Sequence, residues 1–188
     1  DEIMKLFLTG HAVKSFHLFN EFNLSQKFFP MLQTQDQSTK KFLIQGLKNT
    51  DKRIQDNKSI NPGFLLAVFL WKDICIASEK RQKTSINETV ALNYAIDQVL
   101  SKQSKLFPIQ KRFSVTMSEI WRLQPRFKKL NPKRIYRLLG HPRFRAAYDF
   151  MLLRVENGEV DSNLAKWWQE FVEADDKTKN ILIKKTKK

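Results

Sequence analysis

The sequence predicts an all-α fold: an irregular multi-helix array of about eight helices with short loops and a basic C-terminal helical part. Three observations predict it. Gly and Pro are scarce, at 5 and 6 of 188 residues, where a sheet-rich chain needs more tight turns. Apolar residues recur at helical spacing, and no alternating run extends beyond a few residues. Helix-start signals punctuate the chain. Apolar residues make up 41 % and aromatics 12 %, enough for a core, which excludes wholesale disorder.

The elements follow in order. Val13, Phe16, Phe19 and Phe22 recur every three residues, as one helix face does, and Pro30 closes the segment after them. Phe42, Leu43, Leu47 and Ile54 mark a second amphipathic helix, with Gly46 a weak point inside it. Asn61-Pro62 reads as an N-cap with Pro in the first turn of a helix. The stretch from Phe64 to Ile76 is apolar nearly all round, the pattern of one central buried helix. Ser85-Ile86-Asn87-Glu88 fits a capping box and starts a helix carrying Val90, Tyr94, Asp97 and Leu100. Asn131-Pro132 and His141-Pro142 each read as a helix start, with Gly140 as a stop between them. Gly158 ends the helix begun at Pro142, and Asp161 or Ser162 caps a last one through Trp167, Trp168 and Phe171.

Charge divides the chain. The formal net charge is +15. Residues 105–145 hold twelve Lys or Arg and a single acid, Glu119, whereas the first 104 residues hold 14 basic and 10 acidic side chains. The expected organisation is a helical body over residues 1–104, a basic helical region over 105–174 and a lysine-rich, flexible tail over 175–188. A surplus of this size speaks to partners: nucleic acid, an anionic membrane or an acidic protein. The longest apolar run, Phe64 to Trp71, is too short to span a bilayer, so no membrane role is expected. The sequence opens Asp1-Glu2, with neither a basic leader nor a Met, and is expected to be part of a longer chain. One cysteine, Cys75, points to a reducing, cytoplasmic setting and a buried, inert thiol.

Catalytic signals are absent. The three histidines, His11, His17 and His141, have no metal-ligand spacing, and the five glycines form no phosphate loop. The basic stretch is the informative feature. Lys111 and Arg112 adjoin Phe113, Arg122 follows Trp121, Arg126 precedes Phe127, Arg134 and Arg137 bracket Tyr136, and Arg143 and Arg145 flank Phe144. Cations bind phosphates and exposed rings stack on bases. The same rings serve equally well as core anchors, with the cations on the outer faces of the helices. Ordinary solvated faces mix both signs, however, and this one does not. Arg outnumbers Lys between positions 122 and 145, which suits bidentate phosphate contact. A helix-turn-helix over residues 131–153 is the rival reading. Its second helix carries Ala146, Ala147, Phe150, Leu152 and Leu153 and offers little to base edges, so tracking of a flexible strand fits better.

The run His141-Pro142-Arg143-Phe144-Arg145-Ala146-Ala147-Tyr148-Asp149-Phe150, then Leu152-Leu153-Arg154 and Trp167-Trp168-Gln169-Glu170-Phe171, resembles the C-terminal region of bacterial poly(A) polymerases. Lys48 to Ile54, Asn61 to Leu65 with Trp71, and Pro108 to Trp121 with Leu123 and Gln124 are similar to the body of that family. The resemblance runs from about residue 6 to about residue 171. It implies a parent that adds AMP from ATP to RNA 3′ ends with a divalent metal such as Mg. The Gly-Ser and Asp-x-Asp motifs of that family's catalytic head do not stand in this sequence. The resemblance therefore implies the helical body and leg that hold RNA, with no catalytic residue, metal ligand or cofactor of its own, inactive alone.

The candidate phosphate contacts are Lys111, Arg112, Arg122, Arg126, Lys128, Lys129, Lys133, Arg134, Arg137, Arg143 and Arg145. Arg145 has a second role open to it, an ion pair with Asp149 one turn on, and a structural role is open to Arg143 too. The expected partner is a single-stranded RNA 3′ end, with RNA-decay proteins as further partners and a monomer as the resting state. Two alternatives stand beside this. One is a basic protein-interaction module docking an acidic partner, served by an exposed Trp of the Trp167-Trp168 pair. The other is the corresponding region of a CCA-adding tRNA nucleotidyltransferase.

Overall fold

A computed structural model describes residues 2–30, 37–84 and 87–185. Twelve helices and no strands form among them. Contacts divide the chain into two compact units, 1–118 and 119–188, with the boundary inside the eighth helix.

The first unit holds α1 (Glu2–Leu6), α2 (Ala12–Glu21), α3 (Leu24–Phe28), α4 (Gln37–Gln55), α5 (Pro62–Phe69), α6 (Trp71–Gln82), α7 (Glu88–Leu106) and the start of α8 (Lys111–Phe127). Phe69 is the hub of its core: Phe29 stacks on it at 4.7 Å, and Phe7 and Phe16 lie 5.2 and 6.0 Å away. Phe16 and Phe19 are buried as the spacing predicts, but Phe22, past the end of α2, is 71 % exposed. The N-terminus of α2 takes its cap from afar, with Ala12 and Val13 N–H donating to the Asp51 carboxylate of α4. That meets orphan donors and sets negative charge at a helix start.

Gly46 is not a weak point. It is buried, and a Cβ there would stand 2.8 Å from Val68 Cγ1, so its absence lets α4 and α5 approach closely. The apolar stretch 64–76 is two helices, not one, broken at Leu70; every residue from Leu65 to Trp71 is buried. Cys75 is only half-buried. The cap of α7 is Asn87, whose side chain accepts from Thr89 and Val90 N–H; Ser85 and Ile86 of the expected box lie outside the described residues. Val90, Tyr94 and Asp97 face solvent, while Ala91, Leu92, Ala95, Ile96 and Val99 supply the buried stripe.

The second unit holds the rest of α8, α9 (Pro132–Leu139), α10 (Phe144–Glu156), α11 (Ser162–Glu173) and α12 (Asp176–Lys185). Trp168 is fully buried at its centre. Its Nε1–H donates to the Phe127 carbonyl at 3.0 Å, using an acceptor that the C-terminus of α8 leaves without a helical donor. Phe127 and Phe144 pack around the indole at 5.2 and 5.8 Å. The buried Gln124 amide donates to Ile120 and Ala147 carbonyls and accepts from Arg154, tying α8 to α10. Asn131 and Asp161 cap α9 and α11 as expected. Gly158, at φ +77°, closes α10 with Glu159 N–H donating to Arg154 O and its own N–H to Val155 O.

Two expectations change here. α10 starts at Phe144, not at Pro142, because residues 141–143 form a turn in which Arg143 N–H donates to His141 Nδ1. The expected flexible tail instead carries α12, capped by Asp175 and burying Leu182 and Ile183 in the core; residues 186–188 lie outside the described ones.

Candidate nucleic-acid interface

The basic surface of the second unit grows from three consecutive elements. On α8, the outward positions Arg122 and Arg126 stand one turn apart, opposite the buried Ile120, Leu123 and Phe127. Lys128 and Lys129 follow in the exposed connection. On α9, Ile135 and Leu138 are buried, which turns Lys133, Arg134, Tyr136 and Arg137 outward. Asn131 fixes where that helix starts, its side chain accepting from Lys133 N–H at 3.1 Å with Pro132 in the first turn.

The start of α10 adds two guanidinium groups that are already engaged. Arg143 Nε meets Glu119 Oε2 at 3.1 Å, so the single acid of residues 105–145 is spent on anchoring this arginine. Arg145 Nε meets Asp149 at 3.1 Å, the expected one-turn pair, with its side chain 72 % exposed and 5.8 Å from the Tyr148 ring. Burial pushes the Tyr148 phenol above its ordinary pKa, against the pull of Arg145, so it stays neutral. An ion pair through Nε uses one of five guanidinium donors, so structure and anion contact are compatible at both arginines. Among the described residues, the side chains of Arg126, Lys129, Lys133, Arg134 and Arg137 make no ion pair.

Lys111 and Arg112 belong to the first unit, in the first turn of α8. Both are exposed, and the Arg112 guanidinium lies 4.8 Å from the Phe113 ring centroid. The other nine candidates belong to the second unit.

The rings divide. Trp121, Phe127 and Phe144 are buried and Phe113 is half-buried, as core anchors; Tyr136 is 48 % exposed. α10 is a core helix, with Phe144, Ala147, Tyr148, Phe150, Met151 and Leu153 buried, and only Arg145 and Glu156 on it are exposed. The Trp pair offers no exposed ring. Trp168 is fully buried, and Trp167 is half-buried with its ring stacked on Phe171 at 4.9 Å. Among the described residues no three His, Cys, Asp or Glu side chains stand together as a group that could hold a metal ion. No helix among them is long and apolar enough to cross a membrane.

Cations thus stand on three successive elements of the second unit, and Glu119, the one acid of residues 105–145, is paired with Arg143. The chain belongs to the family described as "Polymerase A arginine-rich C-terminus", whose model matches residues 84–188. A second model, "Probable RNA and SrmB- binding site of polymerase A", matches residues 1–35. Poly(A) polymerase I of Escherichia coli O6:H1 is 34 % identical over 180 residues, covering 91 % of this chain and 38 % of that protein. The same enzyme from Salmonella typhi is 33 % identical over 179 residues, with the same coverage. That from Haemophilus influenzae is 31 % identical over 179 residues, 91 % of this chain and 39 % of the relative. The chain thus spans about two-fifths of the length of these relatives. The resemblance carried by His141–Phe150 and the Trp-Trp element holds at the level of the family.

Sequence reasoning placed no functional residue in 1–35. The structure exposes Leu18 and Phe22 there, in a segment with three basic and three acidic side chains; the sequence hid this, because Phe22 continues the apolar spacing of Phe16 and Phe19.

Proposed function

We propose that this chain holds single-stranded RNA by its backbone, as the RNA-gripping part of a longer polymerase that adds AMP from ATP to RNA 3′ ends. The observation that carries this reading is the outward set Arg122, Arg126, Lys128, Lys129, Lys133, Arg134 and Arg137, with Glu119 committed to Arg143. Like charges packed this densely repel one another, and phosphates relieve that repulsion while releasing counterions. The arginine-rich C-terminus described by the family model over residues 84–188 supports this surface, and the model that names RNA, over residues 1–35, supports RNA as the partner of the chain. Adenylyl transfer, with its ATP and Mg, falls to the longer protein on this reading, and the setting is cytoplasmic.

The test is anisotropy titration with labelled single-stranded RNA across a salt series. Six to eight phosphate contacts give a log–log slope of roughly −4 to −6. Changing Arg122, Arg126, Lys129 and Arg134 each to Glu weakens binding at least about tenfold at low salt and flattens that slope. Unchanged affinity in a folded variant removes this surface from the reading.

A second reading applies to residues 1–35. Their balanced charge and the exposed Leu18 and Phe22 favour docking of a protein, the SrmB named by the family model being the candidate.

A further inference from the structure

Two rings of the first unit lie beneath the protein's own cations, and the exposed Phe22 stands in a segment of balanced charge. Arg81 lies over Tyr94 at 4.7 Å, and Arg112 over Phe113 at 4.8 Å. Tyr136 differs. It shares the outward side of α9 with Lys133, Arg134 and Arg137, yet among the described residues no cation stands over its ring. Among the described residues its one ring contact is edge-to-face with the buried Phe171, at 6.1 Å and 66°. Phe171 is in turn stacked on Trp167 at 4.9 Å and 10°. The Tyr136 ring is therefore backed by an aromatic layer on a helix anchored by Ile135 and Leu138. A ring held this way loses little further freedom when something flat settles on it.

We infer that Tyr136 is a base-stacking platform: an unpaired nucleobase lies on its ring while Lys133, Arg134 and Arg137 hold the neighbouring phosphates. This rests on the RNA-holding reading above. Stacking on a phenol ring needs no particular base edge, so the platform accepts any base and favours the larger purine face. Phosphate contacts alone fix the strand's path but not the position of its bases. An aromatic among the cations fixes one nucleotide in register.

The experiment compares two ligands of equal length and charge on the full chain: a labelled single-stranded RNA and an abasic sugar–phosphate oligomer. Tyr136→Leu keeps an apolar contact to Phe171 but removes the π face; Tyr136→Phe keeps the face. The Leu variant is expected to bind the RNA about tenfold more weakly, with unchanged binding of the abasic oligomer and an unchanged salt slope. The Phe variant binds both as the parent does. A 2-aminopurine base in the RNA is quenched by the parent and the Phe variant and not by the Leu variant. Equal losses on both ligands would make Tyr136 a structural residue and overturn the inference, as would full RNA affinity in a folded Leu variant. Failure of the unaltered chain to bind either ligand is a separate outcome; it overturns the RNA-holding reading and this inference with it.

Discussion

At the scale of single residues, Asp73 is the group most strained by its surroundings. It sits in the first turn of α6, where burial pushes its carboxyl up to about 6 against the pull of its own backbone N–H and of Lys102. A carboxyl raised in the folded state binds protons there that the unfolded chain has already lost. Stability therefore falls as pH rises from the unfolded value of 3.8 to about 6, and stays lower above it. Full ionisation costs at most about 3 kcal/mol. Asp73→Asn is expected to raise the melting temperature at pH 7.5, with the gain shrinking as pH drops and vanishing below about 4. Thermal melts of both proteins across that range check it; a gain independent of pH would assign the effect to packing. Nothing in the sequence marks Asp73, because its neighbours in space come from a separate helix. Arg143 teaches the same lesson. Its ion pair joins residues 24 apart, whereas the Arg145–Asp149 pair, one turn apart, was legible.

At the scale of elements, the starts of helices were read more reliably than their number. Asn61, Asn131 and Asp161 cap where the sequence places them, since a cap is a local bargain between a side chain and the next two residues. The helix count rises from about eight to twelve because apolar continuity hides breaks such as Leu70. α12 is the clearest miss. Its composition is that of a solvated tail, and only Leu182 and Ile183 tie it down. The pair Leu182→Ala and Ile183→Ala is expected to cost the second unit about 2 kcal/mol per site, read by urea unfolding. No change in midpoint would mean that the helix lends the core nothing.

Over the whole molecule, charge is segregated along the chain. Residues 1–35 are balanced in charge and expose Leu18 and Phe22, whereas residues 119–145 carry nine cations and one acid. Partners of different chemistry suit the two segments. A variant with Leu18→Ser and Phe22→Ser is expected to bind single-stranded RNA within about twofold of the parent, because neither side chain contributes to the counterion-release term. A loss as large as that of the charge-reversal variant would place RNA contact in the first unit and undo the division.

The sequence by itself determined the helical class, the main caps and the concentration of positive charge between residues 105 and 145. Each depends on composition or on neighbours within a turn. Tertiary structure decided which members of that stretch are available. Five of its rings alternate with eleven candidate cations, and sequence left each of those rings with two readings. Packing of Trp121, Phe127 and Phe144 into the second unit turns the cations of α8 outward, and burial of Ile135 and Leu138 leaves Tyr136 in solvent. Which side of a helix is buried depends on what packs against it, and that partner lies tens of residues away in the chain.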